Sequence, residues 1–430
     1  MHSERIIRPA RSVYGVLRLP GDKSISHRYG MLAAFAEGTS RFTNFSTGAD
    51  CASTLRCMEA LGAAVRRLDE GAVEVTGVGG RVTPSKAPLD CGNSGSTMRM
   101  ISGLLAAQAG EFTLVGDESL SRRPMERIRK PLAAMGARLT LTEGHAPLQI
   151  EGSTLQAIDY KMPTPSAQVK SCILLAGLQT AGVTTVREAV RTRDHSELAL
   201  RAFGARVTRT QDAVSISGPQ MLHAIDAVVP GDISSAAFFL CAAALFPGSS
   251  LVLESLGLNP TRAALLDVLT ALGARVSVLN LEEKNAELVG MVQITAPLEG
   301  LGSTTISGAL AAQLIDELPV LAAIGPFTSG GIRIRDAREL RVKESDRIAL
   351  VVKNLRAMGA EVEEFVDGLD VPGGQTLHGA AIDSGGDHRI AMAFSVAALR
   401  AEGETQICGA ESAAISFPEF FDLLDLVAER

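Results

Sequence analysis

The residues best suited to chemistry in this chain gather where apolar helices are expected to begin. In Gly21-Asp22-Lys23-Ser24-Ile25-Ser26-His27-Arg28 a short strand gives way to an apolar helix, and Lys23, His27 and Arg28 fall at its start. Cations there oppose the positive end of the helix dipole by roughly 0.3 to 1 kcal/mol each. A negative ligand reverses the sign, because free amide N–H groups and cationic side chains then converge on it. Gly92-Asn93-Ser94-Gly95-Ser96-Thr97-Met98-Arg99 is a second Gly-flanked start whose amides suit a carboxylate or phosphate. Arg122-Arg123-Pro124-Met125-Glu126-Arg127 sets arginines before a Pro expected at the first helical position. Pro165-Ser166-Ala167-Gln168-Val169-Lys170 brings hydroxyl, amide and ammonium donors to a third start.

Proton chemistry is suggested further along. Asp316 and Glu317 lie in Leu314-Ile315-Asp316-Glu317-Leu318-Pro319, inside the otherwise apolar run from Leu310 to Ala323. Read as one helix, that run holds carboxylates that are expensive unless paired or used. One of them is then a candidate general base, tuned by burial and neighbouring cations. Arg341-Val342-Lys343-Glu344-Ser345-Asp346-Arg347 sets Lys343 and Arg347 at i,i+4 on one expected helical face, with Glu344 at i,i+3 from Arg347. Asp387-His388-Arg389 opens another helix and repeats the cations of the first. Arg193-Asp194-His195-Ser196-Glu197 reads as a surface salt-bridge network, since its His lacks partners at metal-ligand spacing. Taken singly, each stretch reads as well as a capped helix or a solvated charge run; what joins them is their placement.

That placement follows from a repeat. A polar Gly- or Ser-containing start leads into an apolar helix, then a Gly, then a short alternating strand. The copies begin at Gly21, Gly92, Pro165, Gly231, Ser307 and Gly385. Five of them continue into a second helix ending in Gly-Ala, at Leu61-Gly62-Ala63, Met135-Gly136-Ala137, Phe203-Gly204-Ala205, Leu272-Gly273-Ala274 and Met358-Gly359-Ala360. Strands such as Arg41 to Phe45, Glu111 to Val115 and Gly331 to Arg335 alternate apolar with polar, as half-exposed strands do. The helices Met98 to Ala107 and Ala236 to Leu245 are apolar nearly all round, as buried helices are. The expected architecture is therefore α/β, with helices inside and sheets outside, in two halves of three copies. A Pro-Gly turn near Val228-Val229-Pro230-Gly231 marks the boundary between halves, with a second crossing near Leu19-Pro20-Gly21. If helices of one half run parallel, their starts gather at one end, and two such ends would form a deep interdomain cleft.

Composition narrows the function. A chain of 430 residues exceeds one core, and 46% hydrophobic and 21% charged residues fit a globular protein. The formal charge of -7 argues against general nucleic-acid binding and makes any cationic cluster local. Cys51, Cys57, Cys91, Cys172, Cys241 and Cys408 are dispersed, with no Cys-x-x-Cys pair, which suits small core residues and no metal. Met1-His2-Ser3-Glu4-Arg5 lacks the apolar run of a signal peptide, and Ala236 to Phe246 is too short to span a bilayer, so a cytoplasmic protein with no membrane partner is expected.

In these ordered motifs, with Arg123-Pro124, Ser166-Ala167-Gln168 and Asp387-His388-Arg389 among them, the chain resembles the EPSP synthase (3-phosphoshikimate 1-carboxyvinyltransferase) family from about Leu19 to Phe420. The resemblance implies the enolpyruvyl transferase fold of two domains, each with three βαβαββ copies, spanning 1–20 plus 231–430 and 21–230, the site between them and no metal or cofactor. It implies that Lys23, Ser24, Arg28, Ser166, Ala167, Gln168, Arg193, Asp316 and Lys343 hold shikimate 3-phosphate, and that Lys23, Gly95, Arg123, Gln168, Arg347 and Arg389 hold phosphoenolpyruvate, with Asn93 also among the substrate-binding residues. It further implies enolpyruvyl transfer to the 5-hydroxyl through a tetrahedral ketal, with Asp316 taking the hydroxyl proton and Glu344 or Lys23 protonating the methylene carbon. A monomer in aromatic amino acid and chorismate biosynthesis is implied.

Arg193-Asp194-His195-Ser196-Glu197, Ser166 to Lys170 and Asn259-Pro260-Thr261-Arg262 resemble the class II subgroup. Gly95 stands where glyphosate-insensitive members of that subgroup carry Ala, so their insensitivity is not carried over and glyphosate is a candidate inhibitor. Ile415 stands where other members place a phosphoenolpyruvate-binding Lys. The sister transferase acting on UDP-N-acetylglucosamine usually carries a reactive Cys in a mobile loop, and Gly116 to Arg127 contains none. A non-catalytic sugar-phosphate binder is disfavoured, because Asp316 and Glu344 would only repel its anion.

Overall fold

The computed structural model describes residues 4–68 and 71–430; residues 1–3, at the start of the expected 1–20 segment and of the supposed leaderless N-terminus, lie outside it, as do 69–70. The chain divides into two compact units. An inserted unit comprises Gly21–Val229 with Glu283–Glu287, and a flanking unit comprises the described residues up to Pro20, Pro230–Glu282 and Leu288–Arg430. Each has its own hydrophobic core.

Strand order in the inserted unit repeats three times. Leu89–Asp90 pairs in parallel with Glu111–Val115, which pairs antiparallel with His145–Glu151, and that in turn with Arg138–Thr142. Asp159–Lys161, Gly182–Arg187, Ala213–Gly218 and Val207–Arg209 form the same sheet. The remaining sheet takes its leading strand from the end of the unit: Asp226–Val228 pairs in parallel with Thr39–Thr43. In the flanking unit Thr304–Ile306, Ile332–Ile334, Gly368–Val371 and Glu363–Phe365 follow the pattern, and a three-stranded sheet joins Glu4–Ile7, Thr405–Cys408 and Ala381–Asp383. Its five-stranded sheet pairs Ser12–Arg18 in parallel with Ser250–Gly257, so the inserted unit interrupts one strand-to-strand crossover.

Buried helices and half-exposed strands are both present. Lys23–Phe35, Gly95–Leu105 and Ala167–Gly177 bury nearly every residue beyond their first turn, as do Ile233–Ala244, Leu318–Ile324 and His388–Ala398. Glu111–Val115 buries only Phe112 and Leu114. The Gly-Ala endings close their helices as read. Gly62 takes φ +104°, which a side chain disfavours, and lets the Ala63 N–H reach the Met58 carbonyl at 3.1 Å. The same bond joins Ala137 to Leu132, Ala205 to Leu200, Ala274 to Leu269 and Ala360 to Leu355.

Three local expectations are corrected. The Leu310 to Ala323 run is two helices, Gly308–Gln313 and Leu318–Ile324, with Asp316 in the turn between them. Pro319 explains the break, since in a continuous helix its ring would clash with the Ile315 carbonyl and its missing N–H would leave that carbonyl unbonded. Lys343 and Arg347 do not share a helical face, because Arg338–Val342 is a 3-10 turn and the next helix starts at Arg347, capped by Asp346. Pro124 precedes rather than begins its helix, Glu126–Ala134. No helix of the described residues is long and apolar enough to cross a membrane, and no His, Cys, Asp or Glu group among them is arranged to hold a metal. Of the cysteines, all but Cys408 are buried, and burial pushes the Cys51 thiol up to about 12.

Candidate active site

The inserted unit gathers one half of the candidate residues at its helix starts. Asp22 caps Lys23–Phe35 by accepting from the Ile25 N–H at 2.9 Å, and Lys23, at the first helical position, lies 2.5 Å from the Asp50 carboxylate. Arg28, one turn deeper and buried, donates to the Ser24 carbonyl at 2.8 Å, the Ser196 hydroxyl at 2.7 Å and the Ser171 hydroxyl at 3.0 Å. Ser24 thus orients Arg28 through its backbone. Arg193 lies half-buried in the loop before the His195–Ala202 helix that carries Ser196.

A second cluster surrounds Gly95. Ser94 caps the Gly95–Leu105 helix, and the Arg123 guanidinium holds the preceding loop, donating to the Asn93 side-chain oxygen at 2.7 Å and its carbonyl at 3.1 Å. Gln168, one residue into the helix that Ser166 caps and Ala167 begins, accepts from Arg99 at 2.6 Å and donates to Ser96 at 2.8 Å. A Cβ at position 95 would stand 3.0 Å from the Arg99 guanidinium and 3.5 Å from that of Arg123. Arg99 lies at the end of the second Gly-flanked start, and its partner, Gln168, is too distant in the chain for spacing to reveal.

The flanking unit gathers the other half. Asp316 has three cations around its carboxylate, Arg347 at 3.5 Å, Lys343 at 3.7 Å and Arg389 at 3.9 Å, and its carbonyl accepts from Arg389 at 2.8 Å. Arg347, 1% exposed, donates to Asp387 at 2.8 Å and to Glu344 at 2.7 Å. Burial opposes its charge, but those two carboxylates more than offset this and hold its pKa above the usual arginine value. Burial likewise works to raise the Asp387 pKa, and the Arg347 guanidinium overrides it, keeping the group below the ordinary carboxylate range. Asp387 is therefore the anchor of Arg347, which its sequence role as a helix start did not reveal. Glu317, buried beside Asp316, accepts from Ser234, which Arg262 also reaches. Of the two adjacent carboxylates, Glu317 fixes the turn and Asp316 faces the cations. Ile415 ends the Ala410–Ile415 turn, half-buried.

The Arg193 to Glu197 stretch is not the surface network expected of it. Glu197 and Glu188 bracket the fully buried Lys170 ammonium at 2.8 and 3.0 Å, Arg209 reaches Glu197 at 2.9 Å, and His195 meets Glu287 at 2.6 Å. These partners come from elsewhere in the chain.

Two sets of cations, one beside hydroxyls and amides and one around a carboxylate, suit a pair of anionic substrates and a proton transfer. The family model described as EPSP synthase (3-phosphoshikimate 1-carboxyvinyltransferase) matches residues 7–424. The chain belongs to the EPSP synthase family. A 3-phosphoshikimate 1-carboxyvinyltransferase of Koribacter versatilis is 65% identical over 424 residues, covering 99% of both chains. One of Solibacter usitatus is 53% identical over 99% of this chain and 100% of its own. Among solved structures, an EPSP synthase of Acinetobacter baumannii superposes with a TM-score of 0.87 at 39% identity, covering 100% of this chain and 98% of that one. The EPSP synthase fold, with two domains of three βαβαββ repeats each, is thus the fold of this chain.

Proposed function

We propose that this chain transfers the enolpyruvyl group of phosphoenolpyruvate to the 5-hydroxyl of shikimate 3-phosphate, releasing phosphate. The full-length 65% identity to a named 3-phosphoshikimate 1-carboxyvinyltransferase carries the reading. The placement of Asp316 among Lys343, Arg347 and Arg389 supports it.

In this reading Lys23, Ser24, Arg28, Ser166, Ala167, Gln168 and Arg193 receive shikimate 3-phosphate, with Asp316 and Lys343 contributed by the flanking unit. Lys23, Asn93, Gly95, Arg123, Gln168, Arg347 and Arg389 serve phosphoenolpyruvate. Asp316 takes the 5-hydroxyl proton while that oxygen bonds to C2 of phosphoenolpyruvate, and Glu344 or Lys23 delivers a proton to the methylene carbon. The resulting ketal then breaks its C2–O bond to phosphate and returns the methylene proton, regenerating the enol ether. Arginines neutralise the carboxylate and phosphate throughout. The 1–20 and 231–430 segments form the phosphoenolpyruvate-side domain and 21–230 the shikimate 3-phosphate-side domain. The enzyme works as a cytoplasmic monomer without metal or cofactor, and glyphosate competes with phosphoenolpyruvate beside Gly95.

Phosphate release measured with each substrate alone and with both tests the reading. Release is expected only with the pair; no turnover with the pair, or equal turnover with UDP-N-acetylglucosamine, overturns it.

A further inference from the structure

Behind the two helix starts of the inserted unit runs a line of buried polar side chains that the reaction does not use. His27 Nδ1 lies 2.7 Å from the Thr54 hydroxyl, Thr54 lies 2.6 Å from the Thr97 hydroxyl, and Thr97 donates to the Ser94 hydroxyl at 2.7 Å. All four side chains are at most 1% exposed, and they lie on or cap three different helices, Lys23–Phe35, Ala49–Ala60 and Gly95–Leu105.

The direction of the line follows from its end. Thr97 gives its only hydroxyl proton to Ser94, so it accepts from Thr54. Thr54 then accepts from His27, which fixes the imidazole as the Nδ1–H tautomer with a bare Nε2. Nε2 is buried and has no hydrogen-bond partner among the described residues. The same two helices meet one turn nearer the surface, where Lys23 pairs with Asp50. Thr54 and Asp50 are four residues apart on one helix, as are His27 and Lys23 on the other, so two rungs join the same helix faces.

We propose that His27, Thr54 and Thr97 are positioning residues that set the Gly95 helix start against the Lys23 helix start, and so set the grip on phosphoenolpyruvate. The proposal rests on the phosphoenolpyruvate role given above to Asn93, Gly95 and Arg123. Ser94 caps the helix that Gly95 begins, and Asn93 immediately before it is held by Arg123. Losing the line frees that start to shift, whereas Arg28 and its serines do not depend on it.

Thr54→Val keeps the volume and removes both hydrogen bonds. It is expected to raise the phosphoenolpyruvate KM about 10-fold, with the shikimate 3-phosphate KM within about twofold, as a displaced binding group requires. Thr54→Ser, which restores the hydroxyl, should bring the KM back. Nitrogen-15 NMR of the ligand-free wild type should find His27 as the Nδ1–H tautomer, and Thr54→Val should shift that signal. An unchanged phosphoenolpyruvate KM, an equal rise in both KM values, or an Nε2–H tautomer in the wild type overturns the proposal. If Thr54→Val does not fold, Thr54→Val with His27→Leu removes the stranded imidazole N–H along with its acceptor, and the same KM split is read there. Wild-type turnover with the substrate pair separates failure of the functional reading from failure of this one, since the tautomer is read without activity.

Discussion

The candidate residues of the two units hold their cations in different ways. Among the candidate residues of the inserted unit, guanidiniums donate to neutral oxygens, Arg28 to a carbonyl and two serines, Arg123 to Asn93 and Arg99 to Gln168, although elsewhere in that unit Arg209 meets Glu197. In the flanking unit they rest on carboxylates, Arg347 on Asp387 and Glu344, with Lys343 and Arg389 beside Asp316. The side-chain helix caps divide similarly, Ser94 and Ser166 against Asp232, Asp346 and Asp387, with Asp22, Asp117 and the Lys23–Asp50 pair as the exceptions. A neutral partner orients a cation without cancelling it, so charge and helix dipole both remain for an incoming anion. A carboxylate partner cancels the charge and brings a proton acceptor. The cations named in the inserted unit thus sit beside neutral oxygens, and those named in the flanking unit beside carboxylates, the contrast that the proposed roles of the two units draw on.

The sharpest way to break this comparison is Asp316→Ala. It should lower kcat about 10²- to 10⁴-fold, the usual range for a general base, while calorimetry still finds shikimate 3-phosphate bound. Unchanged kcat removes Asp316 as the base. Next comes stability. Asp387→Ala strips the buried Arg347 of its anchor and should destabilise the fold by about 3 to 5 kcal/mol in urea denaturation. Ser196→Ala, its neutral counterpart under Arg28, should cost only about 1 kcal/mol, and equal losses would erase the distinction. Arg28→Gln should raise the shikimate 3-phosphate KM about 10- to 100-fold, the worth of a charge-assisted bond or two, with kcat nearly kept.

Smaller effects refine the picture. Burial, then the charges of Lys23 and Arg28, lower the His27 pKa well below 6.5. The unfolded chain therefore binds a proton that the folded one refuses, so this contribution is complete above about pH 6.5 and is lost as pH falls, by at most about 1.4 kcal/mol per unit. His27→Gln should flatten that part of the stability profile; an identical slope would deny the shift. Least of all, Gly95→Ala, whose methyl meets Arg99, should weaken glyphosate inhibition several-fold more than it weakens phosphoenolpyruvate, read as the ratio of Ki to KM.

Features set by neighbours in the chain were legible from sequence. Each Gly-Ala ending is a local backbone requirement, and each was found where the residues placed it. So were helix starts near Gly21, Gly92 and Pro165, which begin at Lys23, Gly95 and Ala167. Where a distant partner decides the outcome, residues alone misled. Arg193 to Glu197 looks solvated until Lys170, Arg209 and Glu287 are brought to it. The hydroxyl of Thr54 carries no sign of His27 or Thr97. The broken helix before Leu318 differs, because its signal, Pro319, is local and the apolar run around it masks the break.

The interrupted crossover has a consequence for how the chain is made. Strand Ser12–Arg18 emerges from the ribosome long before its partner, for Val13 bonds Ser249 across 236 residues. Yet the insert starts and ends at one place: the Asn44 amide reaches the Val229 carbonyl at 3.0 Å, and Asp232 N–H meets the Pro20 carbonyl at 3.2 Å. Once the insert has folded, the strand's wait ends across what is effectively a short loop, and the entropy of closing it no longer grows with all the residues between. Folding order therefore departs from synthesis order at the first strand, the middle of the chain maturing before its two ends can meet.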